Sequence, residues 1–168
     1  MKPFPMAVTL RPERPAGLLS PVEDRLARVL LVDDMRGDVL MARRWLGSGR
    51  ALACDLVSAP SVGEALEALH TARANGGGID LVLLDIGLPG ESGFGLLEKI
   101  RADAAFRRIP VIMCTGSGHE VDRRYATLLG VVGYLPKPLA PRALRAIVEQ
   151  LPRLSVVETA DRVKLLAA

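Results

Sequence analysis

Hydrophobic and polar residues follow two different periods along most of this chain, which predicts alternating strands and helices. Short runs of apolar residues are typical of strands buried on both faces, and apolar residues at every third or fourth position are typical of amphipathic helices. The runs predict strands over residues 28–32, 51–59, 79–84, 109–115 and 131–135. The helical pattern predicts helices over residues 38–46, 61–74, 93–102, 117–129 and 141–151. Because strand and helix alternate five times, we expect an α/β fold, a doubly wound five-stranded parallel sheet with helices on both faces.

The starts of two predicted helices carry capping boxes. Ser61 and Glu64 have the spacing at which each side chain bonds to the backbone N–H of the other residue, and Ser117 and Glu120 repeat it. The last predicted helix follows Ala140, which has no side-chain oxygen to cap it. These residues predict where the helices begin.

The two ends of the chain differ from this body, which we place at residues 27–152. Residues 1–26 contain five prolines and no periodic pattern, which predicts an N-terminal extension. Residues 153–168 form a C-terminal extension, where Ser155 and Glu158 make a third capping box and predict a sixth helix. The apolar stripe of this helix would contain Val156, Ala160, Val163 and either Leu166 or Ala167. Because such a stripe needs cover from its own domain or from a partner, we expect the extension to help form a homodimer.

Composition and charge argue against several classes of function. With 49% hydrophobic and 24% charged residues, the chain has enough apolar side chains for a core. Its net charge of +3 is small and its arginines are scattered, so we expect no direct contact with nucleic acid. No apolar run approaches the ~20 residues that cross a bilayer, so we expect no membrane span and a cytoplasmic location.

The residues that most often bind metals or cofactors outside acidic sites are few. Cys54 and Cys114 lie among apolar neighbours, and two cysteines are too few for a disulfide framework, so we expect buried free thiols. His70 and His119 have no second ligand candidate beside them and are expected at the surface. Trp45 lies on the apolar stripe of the first predicted helix and is expected in the core.

Polar residues stand at the carboxyl ends of four predicted strands. Asp33 and Asp34 follow the first strand, Asp85 the third, Thr115 ends the fourth and Lys137 follows the fifth. Taken singly, each is more often a solvated strand end or a surface lysine than a site. In a parallel sheet, however, these ends share one edge, and neighbouring strands at a switch point would bring the acids together. Oxygen ligands without Cys or His indicate Mg²⁺ (or Mn²⁺), and an acid beside a lysine suits an anionic phosphoryl group.

The same residues resemble the receiver domains of two-component response regulators, over roughly residues 28–151. The combined spacing is specific, although each motif alone is not. The markers are Asp33 and Asp34 after the first strand, Asp85 followed by Leu88-Pro89 and Gly93, Thr115 thirty residues after Asp85, and the segment Tyr134-Leu135-Pro136-Lys137-Pro138. The resemblance implies a flavodoxin-like fold with strand order 2-1-3-4-5.

The resemblance also implies a role for each residue of the site. Asp85 would accept a phosphoryl group from a phosphohistidine of a sensor histidine kinase. Asp34 and Asp85 would ligate the metal directly, Asp33 would act through a water, and Gly87 would offer its backbone carbonyl. Lys137 would contact the phosphoryl oxygens, with the Lys137-Pro138 peptide in the cis form.

A switch is implied in the same way. Thr115 would move to bond the phosphoryl group, and Tyr134 would turn into the space that it leaves. This change would reshape the face made by the fourth helix, the fifth strand and the fifth helix, where a downstream protein, a phosphotransfer partner or a second copy would bind. The chain would then be a signalling protein rather than an enzyme, apart from its own self-phosphorylation and autodephosphorylation.

A finer likeness and two departures accompany this reading. The C-terminal extension is similar to that of single-domain regulators that partner phytochrome-type kinases, so a bacteriophytochrome is a candidate kinase. Gly87 stands where many family members carry a side chain, so we expect a less shielded phosphoryl group. Gly116 replaces a small alanine after Thr115 and would loosen that loop.

Three other functions remain open. A pseudo-receiver that binds partners without phosphate would be expected to lack an acid, the Thr or the Lys. A Mg²⁺-dependent phosphatase of the haloacid dehalogenase type needs a general acid two residues after its nucleophile, where this chain has Gly87. A DNA-binding regulator would need a further reading domain.

Overall fold

The computed structural model describes residues 25–47 and 51–167, which form a five-stranded parallel sheet with helices on both faces and a smaller antiparallel sheet. The strands are β1 (Arg25–Leu26), β2 (Arg28–Val32), β3 (Asp55–Ala59), β4 (Leu81–Leu84), β5 (Val111–Thr115), β6 (Gly133–Pro136), β7 (Leu154–Glu158) and β8 (Val163–Ala167). The helices are α1 (Arg36–Trp45), α2 (Val62–Ala74), α3 (Gly93–Ala102), α4 (Glu120–Leu128) and α5 (Pro141–Val148). The large sheet has the order β3-β2-β4-β5-β6, which confirms the predicted flavodoxin-like arrangement.

Both faces of the central strands are buried, as their continuous apolar sequences predicted. All four residues of β4 have an exposed fraction of 0%. Alternate residues of β2 point to opposite sides: Val29 and Leu31 pack with α1 and α5, whereas Leu30 and Val32 pack with α2 and α3. The two cores therefore hold the sheet between its helices by packing on both faces.

The C-terminal extension is a β-hairpin, and the predicted sixth helix is wrong. β7 and β8 pair antiparallel, and β8 also pairs with β1, so that the end of the predicted N-terminal extension belongs to this second sheet. Ser155 lies inside β7 and caps no helix. The segment is rich in β-branched valine, which favours strands, and a turn closed by the Thr159 N–H and the Arg162 carbonyl (2.9 Å) joins the two strands.

The apolar side of this hairpin is covered by the same domain. Leu154, Leu165 and Ala167 belong to the core cluster that contains β2, α1 and α5. The backbone of Leu165 bonds to Ala53 (2.8 Å) and to Ala27 (2.9 Å). These apolar side chains are therefore covered within the domain and do not need a second copy to bury them.

Shortening Leu165 is expected to destabilise the whole domain. Its side chain is 1% exposed, so Leu165→Ala removes core contacts and should lower the free energy of unfolding by about 2–4 kcal/mol in urea denaturation. Val157→Ala on the other strand is the control, because Val157 is 40% exposed and should cost less than about 1 kcal/mol. Equal small losses would mean that the hairpin does not pack on the domain.

Several local predictions have clear outcomes. The Ser61 side chain accepts from the Glu64 N–H at 3.3 Å, which confirms that cap. The predicted capping box of Ser117 and Glu120 is wrong. The N-cap residue of α4 is His119, its side chain makes no capping hydrogen bond, and the helix begins at Glu120. Trp45 is 37% exposed and is not a core residue, since the buried position of α1 is Ala42.

The predictions for the remaining candidate ligands hold. Cys54 and Cys114 are buried and free, and burial raises the pKa of the Cys114 thiol to about 12. His70 and His119 are exposed. Within the residues that the structure describes, no helix is long and apolar enough to cross a membrane.

Candidate functional site

The register of the sheet brings the predicted acids together. β2 and β4 are parallel neighbours in which Val32 stands opposite Leu84, so the residues that follow, Asp33 and Asp85, emerge side by side. Asp34 comes next in the chain, and carboxylate oxygens of the three acids all lie within 4.8 Å of one another. Asp33 and Asp85 are buried and Asp34 is exposed. The cluster therefore has a buried floor and an open side.

The ammonium group of Lys137 lies against this cluster. Its Nζ is 2.7 Å from Asp33 Oδ2, 2.7 Å from Asp85 Oδ2 and 2.8 Å from Asp38 Oδ2. Lys137 reaches this place because its backbone N–H bonds to the carbonyl of Thr115 (3.0 Å) where β5 ends. The following Lys137-Pro138 peptide is cis, as expected.

Burial and charge act in opposite directions on these groups. Burial alone would lower the pKa of Lys137, but the three carboxylates bonded to it raise its pKa above the usual value, so the ammonium keeps its charge. Burial raises the pKa of Asp33, and the bond from Lys137 only partly offsets that rise. Keeping Asp33 ionised in this buried position therefore costs free energy, and the bond from Lys137 makes that cost smaller.

The donor set of the cluster fits a small, hard divalent cation. Three carboxylates contribute oxygens, and no Cys or His takes part in the group. The Gly87 N–H donates to Asp85 Oδ1 at 3.3 Å, which holds the following loop beside the acid. A cavity of about 390 Å³ opens next to Asp33 and Asp34, so the exposed side of the cluster is reachable from solvent.

Thr115 and Tyr134 meet at one loop. Thr115 is 3% exposed and its hydroxyl accepts from the Ser117 N–H at 3.2 Å. The half-buried Tyr134 donates its hydroxyl to the Ser117 carbonyl at 3.1 Å, and the Arg123 guanidinium lies 5.0 Å from the centre of its ring. The two residues that the resemblance singled out are thus linked through Ser117.

Asp38 is the site residue that the sequence reasoning missed. It stands in the first turn of α1, where an acid is usually explained by the helix dipole. Its contact with Lys137 joins positions 99 residues apart. The available signal was its position: α1 begins directly after the Asp33–Asp34 pair, so its first turn lies at the same sheet edge.

Gly93 is required by the close approach of α3 to the loop that carries Asp85. A Cβ atom at this position would overlap the carbonyl oxygen of Asp85 and lie 3.0 Å from Ile86 Cα. The Gly93 N–H also bonds to the carbonyl of Ile86 at 2.9 Å. This contact gives a physical reason for the spacing between Asp85 and Gly93.

Replacing Gly93 by alanine is expected to destabilise the protein, although alanine normally favours a helix. The overlap is with backbone, which cannot turn away, so urea unfolding should show a loss of about 2–3 kcal/mol. Gly87→Ala is the matched control, because a Cβ there meets nothing within 4 Å and should change stability by less than about 0.5 kcal/mol. If Gly93→Ala left the free energy of unfolding unchanged, α3 could not approach the Asp85 carbonyl as closely as the structure has it.

The fold and the acid–lysine crevice at its carboxyl edge define a flavodoxin-like α/β protein with a candidate phosphoryl site. Comparison with known protein families identifies the family to which the chain belongs. The family model described as the response regulator receiver domain matches residues 29–149, and the chain belongs to this family. Members of the family are signalling domains of two-component systems.

Individual relatives agree with this assignment. Over 84 residues the chain is 40% identical to the cyclic di-GMP phosphodiesterase response regulator RpfG of Xanthomonas campestris pv. campestris, a match of 50% of this chain and 22% of that protein. The matched segments span 22–42% of the length of the curated relatives.

Two solved structures are also similar. The bacteriophytochrome response regulator AtBRR has a TM-score of 0.65 and 26% identity, over 80% of this chain and 99% of that one. The phosphorylated cyanobacterial phytochrome response regulator RcpA has a TM-score of 0.60 and 26% identity, over 73% of this chain and 89% of that one.

Proposed function

We propose that this receiver domain accepts a phosphoryl group on Asp85 from a phosphohistidine of a sensor histidine kinase. The observation that carries the proposal is the placement of the Asp85 carboxylate, 2.7 Å from the Lys137 ammonium and inside the acid cluster. A carboxylate held beside a fixed cation is suited to act as a nucleophile toward an anionic phosphorus centre.

The transfer balances without a further reactant. A carboxylate oxygen of Asp85 forms a bond to phosphorus while the bond from phosphorus to the imidazole nitrogen of the kinase breaks. The imidazole takes both electrons of the broken bond and, with a proton already on its other nitrogen, leaves as the neutral ring. The Lys137 ammonium then bonds to the phosphoryl oxygens in place of the free carboxylate.

The acid cluster is the proposed site of Mg²⁺ or Mn²⁺. Asp34 and Asp85 would ligate the ion directly, Asp33 through a water, and Gly87 through its backbone carbonyl. When bound, the ion supplies positive charge that neutralises the transferring phosphoryl oxygens. The match between the oxygen donors and the preferences of these cations supports this assignment.

Phosphorylation would act on the pair of Thr115 and Tyr134. A bond from the Thr115 hydroxyl to the phosphoryl group would draw on the loop at Ser117, to which Tyr134 is also bonded. That loop leads into α4, so the surface formed by α4, β6 and α5 would change. This surface includes Val121 and Leu128, whose side chains are 76% and 82% exposed, and would bind a downstream protein, a phosphotransfer partner or a second copy.

The competing functions are less well supported. A pseudo-receiver would lack part of the phosphoryl machinery, whereas here Asp33 and Asp85 of the acid cluster both bond to Lys137, and Thr115 lies at the same edge. A phosphatase would need a general acid at Gly87, which has no side chain.

The similarity to AtBRR and RcpA favours a phytochrome-type kinase as the partner. We place the reaction in the cytoplasm.

Incubation with acetyl phosphate tests the proposal. With Mg²⁺ present, intact mass spectrometry of the full chain should show the gain of one phosphoryl group, and a chelator should suppress that gain. Phosphorylation that is equally fast in the chelator would remove the metal from the proposal. A chain that gains no phosphoryl mass from acetyl phosphate or from a panel of histidine kinases would overturn the proposed function.

A further inference from the structure

We propose that Asp38 is a positioning residue that holds the ammonium of Lys137 in place for phosphoryl transfer. The inference rests on the proposed function of Asp85 and adds a residue to that site. Its basis is the 2.8 Å contact between Asp38 Oδ2 and Lys137 Nζ. Asp38 touches neither the proposed metal nor the reacting oxygen and acts through the lysine.

Each of the three N–H donors of the Lys137 ammonium has one carboxylate partner. Two of the partners, Asp33 and Asp85, belong to the cluster whose oxygens lie within 4.8 Å of one another, and Asp38 stands outside that cluster. A divalent cation in the cluster would compete with the lysine for the first two. Asp38 is then the partner that the ammonium keeps.

The Asp38 carboxylate is well placed for this role. The backbone N–H of the next residue, Val39, bonds to the carbonyl of Met35 at 3.1 Å, so the first turn of α1 is fixed. An aspartate has a short side chain, and little rotamer freedom is lost in holding its carboxylate there. The Lys137 side chain is 16% exposed and that of Asp38 is 40% exposed, so solvent screens the pair only in part.

Phosphorylation would make this anchor more important. Once a phosphoryl group is on Asp85, one ammonium donor must turn to its oxygens while the lysine stays in position. Positioning of this kind raises the rate because the reacting groups do not have to be arranged anew in each encounter. If Asp38 interacted only with the helix dipole, its replacement would lower the stability of α1 and leave the Lys137 ammonium in place.

The test compares Asp38→Asn, Asp38→Glu and the control Glu67→Gln in the full chain. Glu67 is an exposed acid of α2, and its replacement removes one charge of the same sign without touching Lys137. The rate of phosphoryl gain from acetyl phosphate is measured at saturating Mg²⁺, and the Mg²⁺ affinity by titration calorimetry. A third measurement follows hydrogen exchange at the Lys137 ammonium by NMR of ¹⁵N-lysine-labelled, Mg²⁺-saturated protein.

Asp38→Asn is expected to slow phosphoryl gain by about 3- to 10-fold. Exchange at the Lys137 ammonium should become faster, and Asp38→Glu should recover most of both effects. Asp38 contributes no oxygen to the acid cluster, so the Mg²⁺ affinity should fall by less than the rate does, and saturating Mg²⁺ keeps the site filled in every variant. Glu67→Gln should match the wild type throughout.

Two results would overturn the inference: an Asp38→Asn variant that behaves like Glu67→Gln, or one whose Mg²⁺ affinity falls as much as its rate. The ammonium exchange separates this inference from the proposed function. If the wild type gains no phosphoryl group while Asp38→Asn still releases the ammonium, the phosphoryl assignment fails and the anchoring of Lys137 by Asp38 stands.

Discussion

Replacement of Asp85 by asparagine is expected to abolish the gain of a phosphoryl group from acetyl phosphate. Asparagine has nearly the same shape, but its amide is a far poorer nucleophile than a carboxylate, so the rate should fall by at least ~100-fold. Intact mass spectrometry at a time when half of the wild type is modified gives the measurement. We expect no transfer to the neighbouring acids, because Asp33 is buried beneath Lys137 and Asp34 is not among the carboxylates that bond to Lys137.

A matched variant shows whether this loss is specific to the site. Asp55→Asn removes an exposed carboxylate that pairs with Arg28 at the start of β3, at the opposite edge of the sheet. It should gain phosphate at the wild-type rate. An Asp85→Asn chain that is modified as fast as Asp55→Asn would place the acceptor elsewhere.

Removal of the Lys137 charge is expected to have the largest effect on stability. Lys137→Met leaves the buried acids Asp33 and Asp85 without their cation, and uncompensated buried charge typically costs about 3–5 kcal/mol. Urea unfolding at pH 7 in a chelator measures the loss. The control is Lys99→Met, whose partner Glu91 is 42% exposed, and it should lose less than about 1 kcal/mol.

The pH dependence of this loss has a definite sign. Burial already raises the pKa of Asp33, and without the bond from Lys137 its pKa rises further. A carboxyl whose pKa is higher in the folded state binds more protons there, so folding becomes more favourable as the pH falls. The difference between Lys137→Met and wild type should therefore be largest at neutral pH. It should shrink as the pH approaches the usual carboxyl range near 4.

Mg²⁺ should partly replace the missing ammonium. A ligand that binds only the folded state adds about 2.7 kcal/mol at 100 times its dissociation constant. Because Lys137→Met removes a competing cation, Mg²⁺ should stabilise the variant at least as much as the wild type. A loss below 1 kcal/mol at pH 7, or one that grows on acidification, would contradict the charge balance described here.

Local sequence pattern predicted the parallel sheet and its chemical edge well. The apolar run of β4 is long enough and uniform enough to be read as a buried strand, and Asp85 directly after it had to lie at the sheet edge. Parallel topology then places Asp33 at the same edge, and the strand order implied by the family resemblance makes the two strands neighbours. The start of β3 was predicted less accurately: the strand begins at Asp55, whereas the sequence pattern predicted residue 51.

The errors occur where one local pattern fits two structures. The C-terminal extension fits both a capping box and a strand pattern. Which of the two structures forms depends on whether the rest of the domain offers hydrogen-bond partners and an apolar surface to pack against. β1 and the backbone of Ala53 provide hydrogen-bond partners for β8, and the core around α5 accepts Leu165. Trp45 was misplaced for a related reason, because helical spacing identifies a stripe but not how much of it the sheet covers.

The sequence by itself determined the order of strands and helices, the family, and the presence of acids, Thr115 and Lys137 along one edge. These follow from local periodicity and from the rule that parallel strands end on the same side. Only the tertiary structure decided that Lys137 bonds to Asp38, that Gly93 must lack a side chain, and that the C-terminal extension is a hairpin on its own domain. Each of these depends on contacts between segments far apart in the chain, and such contacts leave no periodic trace in the sequence.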